Sequence, residues 1–170
     1  MSPDGPSSGL PPAPSIASQA DFSQAVSWAV RAAVARGARR ITWIDRDFSE
    51  WPLDDASLHG ELAAWLRLPQ RRLVLLAGDF SEVARLHPRF VRWRVTWAHA
   101  LDTLVLPEGE EVDLPAVIYD DGRVSMQLLD RLHWRGHCSE APADAWALRE
   151  RFEPLLRRSS PGFPVNTLGL

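Results

Sequence analysis

The stretch DLPAVIYDDG, Asp113–Gly122, decides how this chain is read. Leu114 to Tyr119 is an apolar run of the length of a buried strand. Asp120, Asp121 and Gly122 then form a tight turn, because Asp bonds its own backbone two residues on and Gly tolerates positive φ. The segment therefore predicts a buried strand that delivers two carboxylates to its end. Such carboxylates are either turn and cap residues or part of a site wall.

The pattern around it predicts the rest of the fold. ARRITWID (38–45), RRLVLLAGD (71–79) and LDTLVL (101–106) read as strands, the second apolar enough to be buried on both faces. Helices alternate with them. Asp21 is placed as the N-cap of the first, whose apolar face is Phe22, Val26, Ala29, Val30, Ala33 and Val34, with Gly37 as the glycine that ends it. Asp54 or Asp55 caps the next, which carries Leu58, Leu62, Trp65 and Leu66 and stops at Pro69. Ser81 to Ala100 is helical with a break at His87-Pro88, and Phe90, Trp93 and Trp97 face the core. PEGEEVD (107–113) is an acidic loop. Val124–Leu129 and Arg131–Arg135 read as extended, and Pro142–Arg158 as an amphipathic helix. The alternation predicts an α/β fold, a layered mostly parallel or mixed sheet flanked by helices. Residues 1–20 are rich in Pro, Ser and Gly and read as a disordered tail, 21–158 as the domain. Residues 159–170 read as an extended C-terminal tail packing on the domain or on a partner subunit.

Composition narrows the chemistry. The 170 residues carry a net charge of −3, which argues against broad charge-driven binding of nucleic acid. All 19 basic residues are arginine, so no lysine can form a Schiff base, act as a base or grip phosphate. The 8 Trp are expected to be core or half-buried anchors. With Cys138 alone, neither an intramolecular disulfide nor a cysteine zinc cluster can form. No apolar run approaches the ~20 residues of a membrane span. The expectation is a cytoplasmic protein with no membrane partner.

The element order and DLPAVIYDDG together resemble one half of the phospholipase D-like fold. That family carries an HxKxxxxD motif in which His is the nucleophile, Lys contacts phosphate and Asp supports the site. Laid on this chain, those positions are Asp113, Pro115 and Asp120, so only the Asp is kept. A carboxylate at the nucleophile position repels a phosphodiester, and proline supplies no cation. The resemblance thus implies a degenerate, non-catalytic domain with no cofactor. HPRFVRWRVTWAHALD, LHWRGHCSEA and SSPGFPVNTLGL also resemble a bacterial family of short proteins to which no activity is attached. RRITWIDRDF and RERFEPLLRRSSP resemble a similar domain fused to acetyltransferases. Phospholipase D-like enzymes pair two halves, so a single half implies a homodimer.

Several residue sets could form sites. The strand ends would present Asp45, Arg46, Asp47, Asp79, Asp120 and Asp121 as a polar pocket, or else as caps and turns. Arg85, Arg89 and Arg92 fall at i, i+4, i+7, a stripe for phosphate, a nucleic-acid backbone or an acidic protein partner, or else a solvated helix face. Joined by Arg39, Arg40 and Arg94 in one patch, it would favour a nucleic-acid-binding pseudo-enzyme. His133 and His137, four apart, lack recognisable third and fourth metal ligands, and no metal site is expected. With the strand-end aspartates they define the alternative, a hydrolase or transferase. The main expectation is a binding or regulatory domain.

Overall fold

The computed structural model describes residues 9–165. Its elements are β1 (Ser15–Ile16), α1 (Gln19–Ala35), β2 (Arg40–Ile44), α2 (Ala56–Leu66), β3 (Arg72–Ala77), α3 (Ser81–Leu86), α4 (Pro88–Thr96), β4 (Leu101–Val105), β5 (Val117–Asp120), β6 (Ser125–Asp130), β7 (Arg135–Ser139), α5 (Pro142–Arg158) and β8 (Ser160–Pro161). They build one sheet in the order β1-β7-β6-β5-β2-β3-β4-β8. Only β2–β3 and β3–β4 are parallel; β5 pairs antiparallel with β2 and β6, and the remaining pairs are antiparallel too. The sheet is therefore mixed, because β5–β6 and β6–β7 join through short turns while the earlier strands need helical crossovers.

Alternation along the central strands serves two cores. Ile41 and Trp43 of β2 face a cluster with Phe22, Trp51, Trp65, Leu73 and Leu75. Ile44, Val74, Val117 and Tyr119 face the other side, where Leu148, Phe152, Leu155 and Leu156 of α5 cover them. Trp28, Trp43, Trp51 and Trp65 are buried, whereas Trp146 stands 58% exposed. Phe90 is buried, but Trp93 and Trp97 are only half-buried and form a ladder along α4 at 6.4 Å.

Three expectations need correction at element ends. Residues 15–20 are not part of a disordered tail. Ser15 and Ile16 pair with His137 and Gly136, Ile16 is buried, and Trp28 Nε1 donates to the Pro11 carbonyl at 2.9 Å. The N-cap of α1 is Ser18, not Asp21. Ser18 Oγ accepts from Asp21 N–H while the Asp21 carboxylate accepts from Ala17 N–H, a reciprocal cap. Residues 131–134 turn rather than extend, with Trp134 at φ 52°. Elsewhere Asp55 caps α2, Gly37 sits at φ 75° after α1, and the chain breaks between α3 and α4 at His87. After α5, β8 pairs with β4 and Gly162 N–H donates to the Thr103 carbonyl. Residues 160–162 thus lie along β4; 166–170, the rest of the expected C-terminal tail, and 1–8 lie outside the described residues.

Candidate functional site

The register of β2 with β5 decides which strand ends can meet. Ile41 lies opposite Asp120 and Ile44 opposite Val117. The end of β5 is therefore beside the start of β2. Asp45, Arg46, Asp47 and Asp79 gather at one end of the sheet, and Asp120 and Asp121 at the other. The single polar pocket expected from the strand ends is not assembled. Asp113 borders an open cleft with Gly78 and the 107–112 loop, whereas Asp120 and Asp121 border a separate one with Arg36, Arg39 and Arg123.

At the first end the centre is Asp45, 1% exposed. Its Oδ2 accepts from the N–H groups of Asp47 and Phe48 at 3.2 and 2.7 Å. Its Oδ1 accepts from Arg131 at 2.5 Å, and the same guanidinium donates to the Leu114 carbonyl at 2.8 Å. Arg131 comes from the β6–β7 turn, so it ties together the end of β2 and the approach to β5. The turn it braces holds Phe48 at φ 58°, a left-handed conformation that costs on the order of 1 kcal/mol for such a residue. His87 Nε2 donates to the Phe48 carbonyl at 2.9 Å and completes the brace. Neither Arg131 nor His87 stands out in the sequence, because each acts on residues 86 and 39 positions away.

The other carboxylates here are committed locally. Asp47 accepts from Ser49 N–H and Oγ. Asp79 accepts from Ser81 N–H and Oγ, and the Ser81 backbone bond leads in holding its carboxyl below the usual range. The Arg46 carbonyl accepts from Gly78 and Asp79 N–H, and its side chain is exposed. Asp113 and Pro115 lie in the segment before β5, off the ladder.

At the second end Asp120 is 2% exposed. Its Oδ1 accepts from Gly122 and Val124 N–H at 2.9 and 3.0 Å, and its buried Oδ2 has no partner among the described residues. Burial pushes this carboxyl up, against the two backbone bonds. Asp121 caps the opposing loop by accepting from Arg39 N–H. Tyr119, beside it, is raised by burial and then by Glu153.

The remaining candidates do not converge. Arg85 pairs with Glu82, and the helix break at His87 interrupts the stripe it would form with the exposed Arg89 and Arg92. Arg40 pairs with Glu153 at 3.0 Å, and Arg94 is buried on the carbonyls of Phe163 and Pro164, so the larger arginine patch does not form. His133 meets one carboxylate, Asp130, whose carboxyl the His133 bond lowers; His137 is exposed on β7. Burial pushes the Cys138 thiol up to about 12, which keeps it unreactive. Among the described residues no three His, Cys, Asp or Glu are grouped to hold a metal, and no helix is long and apolar enough to cross a membrane.

No family model and no curated protein matches the chain. Solved structures do. TrmBL2, an archaeal chromatin protein with a novel mode of DNA binding, aligns over 91% of this chain with a TM-score of 0.60 and 10% identity. The phosphatidylserine synthase of Haemophilus influenzae Rd KW20, a phospholipase D superfamily protein, aligns over 93% with a TM-score of 0.56 and 13% identity. The chain spans 56% and 40% of those two proteins. At such identities the likeness shows the fold alone: a mixed α/β sheet flanked by helices, shared with those two proteins.

Proposed function

We propose that this chain is a phospholipase D-like domain that binds or regulates and does not cleave phosphodiesters. The observation that carries the reading is the ion pair of Arg131 with the buried Asp45. It occupies the end of the sheet toward which Asp113 and Pro115 lead, so Arg131, the cation that reaches Leu114 there, is already paired with Asp45. Phosphoryl chemistry needs both a positioned nucleophile and charge on the phosphate oxygens. The chain has no lysine, and Asp113 stands where the family motif has its histidine.

The fold is shared by an enzyme and by a chromatin protein, so a binding role suits it as well as catalysis. That likeness keeps nucleic acid among the candidate partners, although the net charge of −3 opposes it. A second copy is the partner we favour. Among the described residues the outer edge of β4 is covered from Thr103 to Val105, by residues 160–162, which leaves Leu101 and Asp102 without a strand partner on that side, and all five β4 residues are half-buried. Such an edge is ready to pair.

The test is hydrolysis of bis(p-nitrophenyl) phosphate and of phosphatidylglycerol vesicles by the purified chain, sedimented in parallel at micromolar concentration. Release at the rate of the buffer blank, from a dimer, is expected. Saturable turnover would overturn the non-catalytic reading, and a monomer the dimer.

A further inference from the structure

Arg94 is a buried cation without an anion. It is 5% exposed, and burial lowers its affinity for the proton. Among the described residues no carboxylate pairs with it; its two terminal nitrogens donate to the carbonyls of Phe163 and Pro164 at 2.7 and 3.1 Å. Cζ lies 3.6 Å from the centre of the Phe163 ring. Nε is buried and has no partner among the described residues. Two carbonyls and an aromatic face fasten the 163–164 segment, but they leave the unit charge unbalanced and one donor unused. A buried charge in that condition is unfavourable unless an anion joins it. An orphaned buried donor calls for a partner.

Arg94 also lines a cavity of about 380 Å³, within the size range of small-molecule sites. Its walls are mostly apolar, with Leu101, Leu104, Phe163, Pro164 and Val165. The polar groups beside Arg94 are already engaged. Thr103 Oγ1 donates to the Gly162 carbonyl, and Asp102 pairs with Arg72 at 2.8 Å. Among the described residues the cavity therefore presents one cation without an anion, between mostly apolar walls. That combination selects a single negative charge on an apolar body. A phosphate dianion would bring excess charge and no surface to match the walls.

We propose that this cavity binds a small apolar monocarboxylate, whose carboxylate takes Arg94 and whose hydrocarbon packs on Leu101 and Leu104. The site lies between α4, β4 and the 161–165 segment, apart from the Asp45–Arg131 pair, so it stands whether or not the chain is catalytic.

Octanoate serves as probe and octanamide, equal in shape and uncharged, as control, each titrated calorimetrically into the full chain. Octanoate should bind at least about tenfold more tightly, which is about 1.4 kcal/mol. Arg94→Met should erase that preference. Since Arg94→Met also loosens the 163–164 segment, Ala98→Leu gives a second reading. Ala98 is an exposed residue of the cavity wall, and a larger side chain there should weaken octanoate about tenfold or more with Arg94 intact. Equal affinity for octanoate and octanamide would overturn the proposal. So would no heat with millimolar octanoate, or binding that Ala98→Leu leaves unchanged.

Discussion

At the scale of residues, two buried carboxylates carry opposite consequences. Asp45 is matched by Arg131 and two backbone N–H groups, and removing Arg131 strands it. Arg131→Met is expected to lower unfolding stability by about 3 kcal/mol in urea titrations, the cost of leaving a buried charge without its partner. A change within a few tenths of a kcal/mol would show that the pair braces nothing. Asp120 has one oxygen unpaired, and burial raises its carboxyl above the ordinary 3.8. A raised carboxyl contributes stability below its ordinary value and loses that contribution as pH climbs through the raised one. Asp120→Asn does not titrate. The stability of the parent relative to Asp120→Asn should therefore be greatest near pH 4, fall as pH rises, and level off toward neutrality. A difference constant from pH 4 to 7 would contradict this.

At the scale of elements, the β6–β7 pair leaves no room for a side chain at Gly136. A Cβ on Gly136 would stand 2.2 Å from the Gln127 carbonyl and 2.9 Å from Leu128 Cα. Neither is a flexible side chain, so the strands must part. Gly136→Ala is expected to cost about 3 kcal/mol and to expose the β1–β7 edge, seen as faster amide exchange at Ile16 and Cys138; unchanged exchange there would contradict it. The helices and the central strands were legible because their apolar spacing and caps are local. Asp55, Gly37 and the break before Pro88 were each readable from a few residues. β1 and β7 were harder. A two-residue strand has no period, and β7 holds Gly136, His137 and Ser139 where apolar residues would mark a strand. Ser18 was passed over because Asp21 is an equally good cap type, and only the helix start shows which oxygen accepts. The strand-end pocket failed for a different reason. An apolar run fixes that a strand exists but not its direction, and β5 reverses it.

At the scale of the whole molecule, that reversal separates what the sequence places together. With β5 antiparallel to β2, the acidic turn after β5 lies across the sheet from Asp45 and its partner Arg131. The two groups of strand-end carboxylates therefore belong to separate clefts of one sheet, and a fold of this kind does not by itself fix what either does. The distance between the two ends tests this most directly. Cys138 is buried and its thiol is pushed up to about 12, so spin labels can be directed to the exposed positions in an Arg46→Cys, Arg123→Cys variant. The turn after β5 lies beside Arg40, six residue steps along the chain from Arg46, so a nitroxide distance centred near about 20 Å is expected. A distribution centred near about 10 Å, as adjacent parallel strand ends would give, would contradict it.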